Sequence, residues 1–88
     1  MNRILAILTI HTDNLPTNFQ EIIQHEQAVV AEWKEEGILD HLFLRDTRNG
    51  ALLVFQNIDE SEVKARMEKL PLFQLMKSVE YYNLMKQF

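Results

Sequence analysis

The sequence predicts an α+β fold of order β-α-β-β-α-β, with a four-stranded antiparallel sheet carrying two helices on one face. Three observations lead there. An apolar, β-favouring run, RILAILTIH, occupies residues 3–11, and a long amphipathic stretch with marked ends follows at residues 17–37. A hairpin signal, Asn49-Gly50, then separates two strand-like runs, and a second capped helix opens at Asp59.

The first strand is apolar on both alternating faces. Ile4, Ala6, Leu8 and Ile10 point one way and Leu5 and Ile7 the other, so it must be covered on both sides. DNLPTN is a turn-rich bridge. In the helix that follows, Thr17 is placed to act as N-cap with Gln20 at the capping-box spacing, and Gly37 supplies a left-handed stop. Phe19, Ile22, Ile23, Val29, Val30 and Trp33 recur along one stripe.

Past Gly37, ILDHLFLRD alternates His41, Phe43 and Arg45 with Asp40, Leu42, Leu44 and Asp46. ALLVFQNI returns as the third strand. Asp59 with Glu62 marks a second N-terminus, and Val63, Met67 and Leu70 form a narrow apolar stripe. Glu60 with Lys64 and Glu62 with Arg66 are supporting pairs on a solvated face. Pro71 ends or restarts that helix; in LPLF, Leu70, Leu72 and Phe73 are expected to close it onto the sheet. SVEYYNLMKQF alternates again as the fourth strand. This order is the ferredoxin-like plan. Its helices cover one sheet face only, and the cheapest cover for the other is a second copy, so a homodimer is expected.

Length and composition narrow the function. Eighty-eight residues, 47% hydrophobic with two Gly and two Pro, suit one folded domain over residues 1–88. A net charge of −4 without a basic cluster argues against nucleic acid as a partner. Zero cysteines exclude disulfides, thiol catalysis and thiolate metal sites, and fit the reducing cytoplasm. The apolar run behind Arg3 is short and is followed by His11-Thr12-Asp13 instead of a small-residue cleavage site, so it reads as strand, not leader. No run reaches the length of a membrane span. The three histidines lack metal-ligand spacing, and there is no phosphate loop or nucleophile elbow. No metal and no cofactor is expected.

One residue breaks the pattern. Glu26 lies seven residues after Phe19 and four before Val30, in the middle of the apolar stripe. Partial burial lifts a carboxyl pKa toward the range of a useful base, so Glu26 is the candidate catalytic base. The alternative is a carboxylate paired with Arg45 or another cation. His41 shares a strand face with Phe43 and Arg45. If that face meets the helices, His41 joins Glu26 in acid–base work and Arg45 anchors an anion. Phe43 and Trp33 are then candidate substrate contacts, although the apolar stripe also suits Trp33 to the core.

The residues from Glu26 to Gly37, then His41-Leu42-Phe43, Val54-Phe55 and above all Leu70-Pro71-Leu72-Phe73 with Met76, resemble muconolactone isomerase. That family belongs to the dimeric α+β barrels. The resemblance implies a small cofactor-free enzyme that shifts a proton and a double bond in an unsaturated lactone. It also implies homodimers that assemble into larger rings. Glu26 falls on the acidic position of the first helix and His41 on a histidine at the start of the second strand. A lysine found three residues before that acid in the family is Ile23 here. Two other readings stay open: a cofactor-independent monooxygenase of the same superfamily, and a non-catalytic dimeric module binding a small ligand.

Overall fold

β1 (Asn2–Ile10) is the strand on which the sheet is built. In a computed structural model, which describes residues 2–13 and 15–88, it lies inside a four-stranded antiparallel sheet of order β2-β3-β1-β4. The other strands are β2 (Leu39–Leu44), β3 (Gly50–Phe55) and β4 (Met76–Met85). The helices are α1 (Phe19–Glu35) and α2 (Glu60–Glu68), and a 3-10 turn spans Pro71–Leu75. This is the expected ferredoxin-like order.

Cross-strand register divides the side chains between two faces. Ile4 pairs with Phe55, Ala6 with Leu53 and Leu8 with Ala51, and all six are buried beneath the helices. Trp33 of α1 and Val63 and Met67 of α2 join the same core. Trp33 packs on Phe55 with ring centroids 5.6 Å apart. The expected α2 stripe therefore holds: Val63, Met67 and Leu70 are all buried. The opposite parity gives the helix-free face. There Leu5 pairs with Val54 and Tyr82, Ile7 with Leu52, and Arg3 with Leu84. Arg3 is buried and its Nε donates to Asp40 Oδ2 at 3.0 Å.

The two ends of α1 are built differently. Thr17 is not the cap. The N-cap is Asn18, with no side-chain hydrogen bond, and the Phe19 N–H donates to the Pro16 carbonyl at 3.0 Å. A backbone turn thus meets a donor that a threonine hydroxyl was expected to serve. The C-terminus follows the expectation. Gly37 takes φ +80°, its N–H donates to the Lys34 carbonyl, and the Ile38 N–H reaches back to Trp33. These paired bonds, with Ile38 and Trp33 both in the core, form a Schellman stop. Gln56 and Asn57 each donate to the Gly37 carbonyl at 3.1 Å, tying the turn to the end of β3.

The β2–β3 hairpin forms, but not as a two-residue Asn-Gly turn. Residues 45–49 bridge the strands, the Arg48 N–H donates to Arg45 at 2.9 Å, and Arg48 itself takes φ +61°. Gly50 already belongs to β3, where any Cβ would collide with the Leu8 carbonyl. The glycine therefore serves close strand approach. Asp59 caps α2 by accepting the Glu62 N–H at 2.8 Å, while the Glu62 carboxylate turns to Arg66 instead of returning to the cap. Leu70 and Leu72 are buried as expected, but Phe73 is 39% exposed, since the 3-10 turn carries its ring outward.

Adding a Cβ at Gly37 meets no atom within 4 Å, so a substitution there tests backbone strain alone. Gly37→Ala is expected to cost about 1–2 kcal/mol and Gly37→Asn less. Denaturant unfolding of both variants checks this.

Candidate functional site

Glu26 faces a large open cleft, about 1200 Å³, between α1 and the β2 side of the sheet. α1 and β2 are joined by the tight Gly37 turn and run antiparallel. Phe19 and Ile23 therefore line the hairpin end of the cleft, and Val30, Ala31 and Lys34 line the Leu39 end. The floor is aliphatic, made of Leu8, Ile10, Ala51 and Leu53. Leu42 and Leu44 extend it along the sheet edge, beyond the cover of α1, and are 42% and 79% exposed.

The Glu26 carboxylate is half-buried, and burial raises its pKa above the ordinary 4.5. The Leu72 N–H, donated to Oε1 at 3.3 Å, works against that rise without cancelling it. No ion pair reaches Glu26 among the described residues. The paired-carboxylate alternative is thus not what the geometry shows. Leu72 lies 46 residues away in the 3-10 turn opened by Pro71, which packs against α1 and presents a backbone donor to this carboxylate.

Of the other candidates, His41 and Arg45 line the same cleft as Glu26, whereas Phe43 and Trp33 do not. His41 pairs with Val54 and Phe43 with Leu52, the parity of the helix-free face. Their rings stack at 5.8 Å, and His41 Nε2 lies 3.6 Å from Asp40 Oδ2. His41 also lines the cleft. By the period of two, the β2 residues sharing the Glu26 side are Leu42 and Leu44. Trp33 is buried against Phe55 and does not line the cleft. Arg45 does line it, at the hairpin end with Asp46 and Arg48, and forms no ion pair among the described residues. Asp40 is held below the usual carboxylate range, chiefly by the Arg3 hydrogen bond. Among the described residues no cluster of metal-ligating side chains occurs.

Sequence reasoning missed the Leu72 N–H and the Leu42–Leu44 floor. The strand alternation contained the second, since it placed those leucines opposite His41 and Phe43. No local signal announces the first.

A ferredoxin-like α+β protein with one desolvated carboxylate in an aliphatic cleft is the class these features define. The sequence pattern described as muconolactone delta-isomerase matches residues 6–82, and the chain belongs to that family. The crystal structure of muconolactone isomerase superposes with a TM-score of 0.77 at 19% identity, covering 99% of this chain and 91% of that one. A putative antibiotic biosynthesis monooxygenase from Nitrosomonas europaea gives 0.67 at 9% identity, with full coverage of both chains. A 5-chloro-2-hydroxyhydroquinone dehydrochlorinase from Burkholderia phenoliruptrix AC1100, complexed with 2,5-dihydroxybenzoquinone, gives 0.56 at 15% identity over 90% of each chain. No curated protein matches the sequence. No helix is long and apolar enough to cross a membrane among the described residues.

The raised pKa fixes a sign for stability. A carboxyl whose folded pKa exceeds its unfolded value stabilises the fold fully below the unfolded value and loses that contribution as pH climbs through the folded one. Glu26→Gln keeps an acceptor for the Leu72 N–H and removes the buried charge. It is expected to be neutral or stabilising at pH 7 relative to wild type, with the gain vanishing toward about pH 4. Thermal unfolding across that range checks it; a Gln variant clearly less stable at pH 7 contradicts the assignment.

Proposed function

We propose that the protein is a cofactor-independent isomerase that moves a proton and a double bond within an unsaturated lactone or similar small carbonyl compound. Glu26 is its general base. The carrying observation is a carboxylate without an ion-pair partner, held in an aliphatic cleft with its pKa raised. Family membership supplies the reaction class.

In this reading the ionised carboxylate takes a proton from the carbon activated by the carbonyl and the adjoining alkene. The C–H electron pair spreads over the conjugated system to the carbonyl oxygen. The resulting carboxylic acid returns the proton at the far end of that system, so one C–H breaks, another forms and the double bond moves. No electron acceptor is consumed. The Leu72 N–H holds Oε1 and leaves Oε2 for the substrate. The aliphatic walls keep the carboxylate desolvated, which strengthens it as a base. Arg45, in the β2–β3 hairpin, lines the same cleft and is placed to attract negative charge on the substrate.

We also propose a homodimer, in the cytoplasm, whose helix-free sheet faces pack together and which can build larger rings. Phe43 and Tyr82 stand 56% and 49% exposed on that face beside Leu5, Ile7, Leu52 and Val54. Such an apolar face is rarely left open in a small soluble protein. On this reading His41 and Phe43 serve the interface, not the base.

Ultraviolet assays of unsaturated lactones are expected to show turnover by the wild type and a loss of about 100-fold or more in Glu26→Gln. An active lactone unaffected by that substitution overturns the assignment. Sedimentation velocity is expected to give a dimer at micromolar concentration and a monomer for Phe43→Asp. A monomeric wild type contradicts the assembly.

A further inference from the structure

The geometry points to an elongated substrate whose reacting end is uncharged and whose apolar chain lies along the cleft. A compact, carboxylate-bearing lactone fits it less well. This rests on Glu26 marking the reacting end.

The charge around Glu26 disfavours an anionic reacting end. On α1 the cleft-lining neighbours of Glu26 are Ile23, Gln27 and Val30; the Leu72 N–H bonds its carboxylate, and Leu8 and Leu53 also line the cleft. None is a cation, and none of the influences shifting the Glu26 pKa comes from a neighbouring charge. A substrate bearing its own carboxylate at the reacting end would set two negative charges together with nothing to screen them. That arrangement raises one of the two pKa values and weakens binding of the ionised form. A neutral head group meets no such penalty. The other ionisable side chains lining the cleft are Lys34 and Asp40 toward the Leu39 end, Arg45, Asp46 and Arg48 toward the hairpin end, and His41 on β2. Helical rise puts Lys34 about 12 Å from Glu26, and Phe19, beside the hairpin, about 10 Å from it.

The length of the cleft suits an extended ligand. Lining residues extend along α1 from Phe19 to Lys34, about 22 Å of helix. The floor between the charged ends is aliphatic, made of Leu8, Ile10, Ala51 and Leu53, and the leucines at 42 and 44 extend it outward along β2. A ring of five atoms beside Glu26 covers only a fraction of this surface. An alkyl or alkenyl chain attached to the ring buries the rest, and each added methylene in such surroundings strengthens binding about threefold to fourfold.

The test measures binding, not turnover. Calorimetric titration compares 5-methyl-2(5H)-furanone, 5-hexyl-2(5H)-furanone and the 5-carboxymethyl analogue, using both wild type and Glu26→Gln. The hexyl compound, longer by five methylenes, is expected to bind about 200- to 1000-fold more tightly than the methyl one in both proteins. The carboxymethyl analogue is expected to bind the wild type more weakly than the hexyl compound, and to recover part of that deficit in Glu26→Gln. Leu44→Asp, at an exposed position, is expected to weaken the hexyl compound at least about tenfold and leave the methyl compound unchanged. Equal binding of methyl and hexyl compounds, tighter binding of the carboxymethyl analogue, no binding of any probe, or indifference to Leu44→Asp overturns the inference. Chain-length dependence without turnover of any lactone would instead retire Glu26 as base. Turnover through Glu26 without chain-length dependence would retire only the elongated substrate.

Discussion

The pairing register of β1 constrains everything else in this fold. It is an inner strand, bonded to β3 on one side and β4 on the other, and apolar on both faces. A slip of one residue against either neighbour would send Ile4, Ala6 and Leu8 away from the helices and bring Arg3, Leu5 and Ile7 beneath them. Arg3 would then be buried in the helix-side core. Leu53 and Phe55 lock the register from β3 because both are almost fully buried opposite Ala6 and Ile4. The small Ala6 leaves room over the sheet centre for the larger side chains of α1 and α2.

The same parity decides which groups act with the carboxylate. Carried from β1 through β3 to β2, it puts Leu42 and Leu44 on the Glu26 side and His41 and Phe43 on the other. The cleft thereby becomes an open trough with an aliphatic floor, lined by Glu26 and by ionisable side chains of β2 and the hairpin. Desolvation outweighs the single backbone hydrogen bond from Leu72, so the carboxyl is a stronger base than an exposed glutamate. Helix, 3-10 turn and strand edge each contribute one part of this environment. Moving any of them shifts the base.

Much of this was legible in the sequence, because it depends on periodicity and on residues with special backbone needs. The two-faced strand, the α1 stripe with its intruding Glu26, the Gly37 stop and the Asp59 cap all express local preferences. What was not legible depends on long-range placement. Thr17 was a plausible cap until the Pro16 carbonyl took its role. Asn49-Gly50 announced a hairpin correctly, but the glycine answers to the Leu8 carbonyl on another strand. Phe73 carried the same hydrophobic signal as Leu72, and only the 3-10 turn separates an outward ring from a buried one. For His41, sequence gave its companions on the strand face; which face met the helices awaited the sheet register.

The account rests on Glu26 being a desolvated base, and its protonation equilibrium can be observed directly. A carbon-13 NMR titration of the Glu26 side-chain carboxyl, assigned by comparison with Glu26→Gln, reports that equilibrium in the folded protein. The midpoint is expected above the ordinary glutamate value of 4.5, in keeping with burial in the cleft. A midpoint at or below 4.5 would mean that the carboxylate is solvated or paired, and would contradict the central claim.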